Sequence, residues 1–487
     1  MRQKLVSAVL ISLLAAQSVT AAVPTDLNLP QMGEPADLSM TPTEEREIGR
    51  DVVAQLYSAG YILDDAELTD YMSGIGWTLA TYADNKPESF QFFVVKDPSI
   101  NAFALPGGYI GFNAGLLIAS RNESEVAGVM GHEMAHVTQR HIARTIEGTK
   151  VSNMATMAAM LAGIIAGAAS GNGDLIIGSL GAGSALSYQN QVNFTRAHEM
   201  EADRVGIRTM AEAGFDPEGM ASFFQRLEQQ SRLYGSGVPE ILRTHPVNTT
   251  RIAEAESRAR DYPVRSYHQS TEFPLMQARA TVLSASRASQ ARELYLRKMD
   301  AGDETVATRY GAALAMSELS ENERAMQVLE PALEKMPRNT HLRLLEAHLQ
   351  LETKQGDRAL ATLEDVMEHQ PRSAPAIFAY AEALITLDRP NEARQFLLDR
   401  GPLLEGRPDM HRLLADAAEA TNNTSELAFQ NASYRFERGD ARGAIQQIDA
   451  GLRIAGLEDN ERARLSAFRS EVRSALPKNW RPSDNHR

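Results

Sequence analysis

The chain has 487 residues, a formal charge of −14 and no cysteine. That length exceeds what one hydrophobic core usually organises, so two or more domains are expected. Acidity with no basic tract to offset it argues against a nucleic-acid partner, and the missing thiols exclude disulfides, a cysteine nucleophile and a cysteine-rich zinc site.

At the N-terminus Arg2 and Lys4 precede an apolar run from Leu5 to Ala16, and Thr20-Ala21-Ala22 offers small residues for cleavage. Residues 1–22 therefore read as a signal peptide, with no following cysteine to carry a lipid anchor. The run is short of the ~20 residues that span a bilayer, so export to a periplasm is expected. Residues 23–42, rich in Pro, Asp and Met, read as an extended segment. The periodicities of Ile48, Val52 and Leu56 and of Leu68, Met72, Ile75 and Leu79 predict two amphipathic helices. Phe90, Phe92 and Val94 alternate as a strand, Asn101-Ala102-Phe103-Ala104 resumes extended chain, and Pro106-Gly107-Gly108 turns it into Tyr109 to Phe112. An exposed edge of such a sheet can take an extended peptide as an added strand, which makes Asn101, Ala102 and Phe103 candidates for substrate binding.

The stretch His132-Glu133-Met134-Ala135-His136 follows. Two histidines four apart lie about 40° apart on a helix, so both imidazoles face one way and can share a metal. Glu133 flanks the pair, where a carboxylate can take a proton from water activated at the metal. Asn122 with Glu125 three residues on reads as an N-cap and capping box, and Gly148 as a stop. Gly131 gives up helix propensity in exchange for room for another backbone. His141 lies about 180° around the helix from His132, so it is expected to take no part in the metal and to be an ordinary residue.

Residues 151–186 are dominated by Met, Ala and Gly, which suggests small-residue helices near the site or a mobile cover, with a membrane-touching hairpin as the alternative. A helix is expected from about Phe194 to Ala213, stopped by Gly214. It carries Glu199 and Asp203 on the same face as Gly206 and Met210, and two carboxylates on a packing face need a partner such as a metal with its histidines. From spacing alone His198, Glu199 and Glu201 all remain candidate third ligands.

His132–His136 followed by Glu199-Met200-Glu201-Ala202-Asp203 resembles the HExxH…ExxxD pattern of the zinc metallopeptidases that include HtpX-type and CAAX prenyl proteases. Asn101-Ala102-Phe103, Pro106-Gly107-Gly108 and Thr244-His245-Pro246 with Arg251 also match that family, over roughly residues 40–262. The resemblance implies one Zn2+ held by His132, His136 and Glu199, with Glu133 as general base. It makes Asp203 a residue that either orients His136 or handles protons for the leaving amine. This chain lacks the several long apolar spans of the membrane-embedded members. His245, behind the flexible Gly235-Ser236-Gly237 and with Pro246 restricting its backbone, is a fourth ligand that would plug the open metal position or a helper that stabilises the tetrahedral intermediate. The plain alternative is that His245 only begins the next helix, with Arg251 pairing to a carboxylate.

A helix from Phe273 to Met299 would link this domain to a region of internal repeats. Ala325, Ala359 and Ala393 are 34 residues apart, as are Ala313, Ala347 and Ala381, Leu329, Leu363 and Leu397, and Pro337 and Pro371. Small residues at that step, where paired helices touch, resemble tetratricopeptide repeats. Gly439-Asp440 with Ala444 begins a further unit out of phase with the first three, so an irregular segment is expected between them.

The fold expected is mainly α, a zincin-like metallopeptidase domain with a small β-sheet followed by an α-helical repeat solenoid. Its parts are a signal peptide (1–22), an extended segment (23–42), a zinc metallopeptidase domain (43–265), a linker helix (266–301), a tetratricopeptide-repeat domain (302–476) and a loose tail (477–487). A protease head with a repeat tail behind a signal peptide also resembles bacterial periplasmic quality-control proteases. That implies unfolded or stalled outer-membrane proteins as substrates, help with β-barrel assembly, and docking to the assembly machinery through the repeats, with at most peripheral membrane contact. The rival reading is a repeat-based scaffold or chaperone with an idle metal site.

Overall fold

The computed structural model describes residues 40–87, 89–146, 196–234, 239–263, 267, 270–476 and 480. The expected signal peptide, nearly all of the extended segment, the stretch 151–186, the Gly235–Gly237 loop and most of the tail lie outside the described residues.

Helix α1 (Pro42–Ser58) starts at a capping box between Thr41 and Glu44 and buries Ile48, Val52 and Leu56. Helix α2 (Ala66–Ala80) is capped by Asp65. Strands β1 (Gln91–Val95), β2 (Ala102–Leu105) and β3 (Tyr109–Asn113) form one sheet in the order β1-β3-β2. β1 runs parallel to β3 and β2 antiparallel to it, with Ala102 opposite Phe112 and Leu105 opposite Tyr109. The β2–β3 turn needs Gly107 (φ +80°) for two reasons: the left-handed backbone, and the Arg46 Cα, 2.5 Å from where a Cβ would sit. β2 is therefore an edge strand, and it packs beside the metal-site helix.

After α3 (Ala114–Ala119) comes α4 (Glu123–Thr138), capped by Asn122 accepting from the Glu125 amide. The reciprocal half of the expected capping box is displaced: the Glu125 carboxylate accepts from the Arg121 amide at 2.7 Å. The helix also stops earlier than Gly148. Arg140 takes a left-handed conformation (φ +52°), and α5 (His141–Ile146) restarts in a new direction. Helix α6 (Arg196–Glu212) ends at Gly214 (φ +88°), as its sequence indicates. Helices α7 (Glu218–Tyr234), α8 (Glu240–Thr244) and α9 (Thr249–Ala259) complete the catalytic part.

The expected single linker helix is two, α10 (Phe273–Ser284) and α11 (Ala288–Asp300), separated by extended backbone at Ala285. Neither is a free spacer. Leu275, Met276 and Ala280 lie in one continuous buried core with Met130 and Phe223 on one side and Tyr310 and Leu342 on the other. The Gln277 amide donates to the carbonyls of Leu117, Ile118 and Ser120, closing the end of α3.

The repeats are helix pairs: α12 (Val306–Ser317) with α13 (Asn322–Lys335), α14 (Thr340–Glu352) with α15 (Gly356–His369), and α16 (Ala374–Thr386) with α17 (Pro390–Asp399). The alanines and leucines at the 34-residue step are all buried where the helices meet. A fourth pair, α18 (Pro408–Ala420) and α19 (Thr424–Glu437), keeps the same phase, although an irregular segment was expected there. Ala415 continues the series of Ala313, Ala347 and Ala381, but Leu427 and Asn431 stand where the earlier units have Ala and Leu and mask the periodicity. The backbone keeps it: Ser320, Lys354, Asp388 and Asn422, each 34 apart, are all left-handed. Helices α20 (Ala441–Gly451), with Asp440 as its N-cap, and α21 (Asp459–Ser474) follow out of phase.

The repeat stack returns to the catalytic part at the start of α2. Arg438 pairs with Asp64 (3.0 Å), Arg279 with Asp65 (2.6 Å) and Glu67 (2.8 Å), His341 with Glu67 (2.6 Å) and Arg407 with Asp70 (2.5 Å). Cations from α10 and from separated repeat segments thus converge on Asp64, Asp65, Glu67 and Asp70, at the start of the helix that packs against α4.

Candidate metal centre

α4 and α6 cross at two glycines. A Cβ on Gly131 would lie 3.1 Å from the Gly206 carbonyl oxygen, so the backbones approach closely enough to set His132 and His136 of α4 against Glu199 and Asp203 of α6. On each helix the site residues are four apart and face the same side. All four are buried.

The donor atoms converge. His132 Nε2 and His136 Nε2 are 3.0 Å apart, and Glu199 lies 3.6 Å from each of them. His245, at the C-cap of α8, places Nδ1 3.3 Å from His132 Nε2 and 3.1 Å from Glu199 Oε1. One donor atom from each of these four residues lies within 4.8 Å of the other three, so His132, His136, Glu199 and His245 form a set that could hold a metal ion. Burial keeps His136 neutral, as a ligand must be, with its pKa well below the usual histidine range. Burial works to raise the Glu199 carboxyl, but His245, His132 and Arg251 together hold it below its usual value. His245 is lifted to about 9, because Glu199 and Glu133 outweigh its burial.

Glu133 is the feature that most needs a ligand. It is 0% exposed, and neither carboxylate oxygen has a hydrogen-bond partner among the described residues. Its nearest cation is His245 Nε2, 3.6 Å away. A buried carboxylate left this way is costly, and a metal with its water beside the group would supply what it lacks. The residues therefore fit a metal of the kind the histidine pair implies.

Of the two roles expected of Asp203, orienting His136 is not met. Its Oδ1 lies 2.9 Å from His132 Nδ1, so it faces His132 and not His136. The one-turn offset from Glu199 along α6 carries it past the ligand pair to the outer side of His132. Burial again opposes the negative charge, and His132 and Arg251 keep its pKa low. Arg251, on the first turn of α9, grips Asp203 through two 2.7 Å bonds, reaches Glu199 at 2.7 Å and donates to the Pro246 carbonyl at 2.9 Å. One guanidinium thus ties a ligand, the carboxylate behind another ligand, and the backbone next to His245.

The partner of His136 is His141, whose Nδ1 lies 2.9 Å from His136 Nδ1. His141 takes no place in the metal-holding set, as expected, but it is fully buried and far from ordinary. The break at Arg140 creates this contact, and a helical wheel drawn through residue 141 cannot show it. Of the other two third-ligand candidates, His198 stacks on His141 (4.4 Å) and Glu201 pairs with His141 and Arg144, while Glu199 alone reaches the histidine pair. Asn101 and Ala102 are buried at the start of the edge strand, and Phe103 packs edge-on against Phe93. The Ile241 amide of α8 bonds to the Ile100 carbonyl at 3.1 Å, so the segment bearing His245 docks at the head of that strand.

Residues 68–259 match peptidase family M48, and residues 318–377 and 357–417 match the tetratricopeptide repeat. A putative beta-barrel assembly-enhancing protease of Vibrio cholerae is 35% identical over 67% of this chain and 68% of its own length. The beta-barrel assembly-enhancing protease of Escherichia coli is 30% identical over 99% of this chain and 98% of its own. A mitochondrial metalloendopeptidase, OMA1 of Arabidopsis thaliana, is 32% identical over 38% of this chain and 32% of its own.

Proposed function

The chain belongs to the family of the beta-barrel assembly-enhancing proteases, M48 metallopeptidases with tetratricopeptide repeats behind the catalytic domain, and from that premise we propose a zinc endopeptidase of the periplasm. Its substrates are unfolded or stalled outer-membrane proteins, and it assists β-barrel assembly by docking to the assembly machinery through its repeats. The single observation that carries the catalytic reading is Glu133, buried without a hydrogen bond beside converged metal-ligand atoms. A scaffold with an idle site has no use for such a group.

His132, His136 and Glu199 hold the metal. When bound, Zn2+ supplies Lewis acidity that makes water nucleophilic and polarises the scissile carbonyl. Glu133 accepts the proton of the attacking water and passes it to the amine released when the peptide C–N bond breaks. The Asp203 carboxylate, 2.9 Å from His132 Nδ1, favours the hydrogen on that nitrogen and so the Nε2 lone pair for the metal. Arg251 keeps Asp203 and Glu199 in place. The outer edge of β2, beginning at Asn101, Ala102 and Phe103, takes the substrate as an antiparallel strand through main-chain bonds, which suits a protease of unfolded chains. His245 would give up the proton that Glu199 and Glu133 hold on it once a metal's charge opposes that proton. It would then take the remaining ligand position and restrain the enzyme, and the 3.1 Å and 3.3 Å approaches of its Nδ1 to Glu199 and His132 support that reading.

The reading is tested by chelation. Purified protein should contain one zinc per chain, lose casein cleavage on metal removal and regain it on zinc addition. Cleavage that survives complete metal removal would defeat it.

A further inference from the structure

α4 does not simply run out. Its last turn ends at Thr138, and the left-handed Arg140 reverses the chain so that α5 begins beneath His136. Arg140 is braced in that conformation from outside the site: Nε donates to Glu45 at 3.0 Å and Nη2 to the Met40 carbonyl at 2.6 Å. The reversal sets the His141 ring edge-to-face on His136, with 2.9 Å between the two Nδ1 atoms. On its other side His141 Nε2 lies 3.2 Å from Glu201 Oε2, the oxygen that also receives Arg144 at 3.1 Å. His198 covers the ring face.

These contacts determine where the protons sit. Two ring nitrogens at hydrogen-bond distance share one proton. An ionised carboxylate accepts only, so the His141 nitrogen facing Glu201 carries a hydrogen. If the shared proton belonged to His141, the lone pair of neutral His136 would face His141 and its Nε2 would carry a hydrogen into the metal position. If it belongs to His136, Nε2 presents its lone pair to the metal. Only the second arrangement permits ligation.

We propose that His141 and Glu201 are positioning residues of the metal centre: Glu201 sets the His141 tautomer, and His141, accepting from His136 Nδ1, presets the lone pair and ring plane of that ligand. His132 has a carboxylate, Asp203, in the equivalent place. The His136 side thus uses a relay through a second imidazole to Glu201, whose side chain is 35% exposed. The inference rests on the reading of His136 as a ligand.

The test uses the full chain in three variants. His141→Phe keeps ring volume and removes the acceptor; His141→Asn puts an amide oxygen where Nδ1 stands; Glu201→Ala frees the far end of the relay. In metal-free protein with 15N-labelled histidine, His136 should show the Nδ1–H tautomer in wild type and in His141→Asn, and lose it in His141→Phe. Zinc affinity by chelator competition should fall about 10- to 100-fold in His141→Phe, the usual loss when a ligand's outer partner is removed. It should fall less in Glu201→Ala and recover in His141→Asn. An unchanged tautomer and affinity in His141→Phe would overturn the proposal, as would equal losses in the Phe and Asn variants, which only a packing role explains. Should His141→Phe fail to fold, Glu201→Ala decides through the same two measurements. If His136→Ala keeps full zinc affinity, the ligand reading itself fails, which the metal-free tautomer measurement tells apart.

Discussion

Gly206 and His132 are in backbone contact across the α4–α6 crossing: a Cβ on Gly206 would sit 2.9 Å from the His132 amide nitrogen and 2.9 Å from the Gly131 carbonyl carbon. Both are main-chain atoms and cannot swing aside. Gly206→Ala should therefore push the helices apart, at about 1–3 kcal/mol of stability, and separate Glu199 from the histidine pair. Urea unfolding should show the loss, and zinc titration a weaker site than wild type. Wild-type stability and affinity would mean that the crossing has slack.

His245→Ala should leave zinc in place, because His132, His136 and Glu199 remain, and should raise casein cleavage severalfold with self-cleavage appearing. A lower rate would make His245 a helper in catalysis. An unchanged rate and an unchanged zinc environment would leave it as part of the segment docked on Ile100.

The histidine pair was legible because two chelating side chains four apart on a helix face one way, whereas Glu199 was singled out from His198 and Glu201 only by the family resemblance. The strands and their Gly107 turn were legible for similarly local reasons. What the sequence hid is where local rules stop. Arg140 is not a residue type that announces a left-handed break, since its partners Glu45 and Met40 lie about 100 positions away. The wheel therefore carried His141 to the wrong side. Of the two roles the resemblance left for Asp203, orienting His136 does not hold, since its carboxylate faces His132; helix phase gives a face but not the offset between two helices. The fourth repeat was lost to Leu427 and Asn431, although Asn422 keeps the left-handed turn of the units before it.

His341 gives a pH dependence between catalytic part and repeats. Burial opposes its charge, but Glu272 and Glu67 lift it to about 9. Because the folded value is raised, the ion pair stabilises fully below the unfolded value of about 6.5, and that contribution is lost as pH rises through about 9. The difference in melting temperature between wild type and His341→Gln should be largest near pH 6 and shrink towards pH 9.5. A constant difference would show that the imidazolium does not hold the junction.

Truncation after Asp300 removes Tyr310, Leu329 and Leu342 from a core they share with Met130 and Phe223. The loss should exceed the ~3–5 kcal/mol of one large core truncation, which is roughly 10 °C or more at 2–4 °C per kcal/mol. Calorimetry should find the isolated catalytic part less stable by that amount. A melting temperature equal to that of the full chain would show that the domains are independent.

The most direct measurement pairs metal content with proteolysis in Glu133→Gln. The substitution keeps shape and burial, leaves His132, His136 and Glu199 intact, and removes only the carboxylate proposed to accept the water's proton. Full zinc occupancy with casein cleavage reduced by about 10²- to 10⁴-fold, the span of general-base catalysis, is the result this account requires. Zinc lost in proportion to the substitution, or cleavage persisting at the wild-type rate, would contradict it.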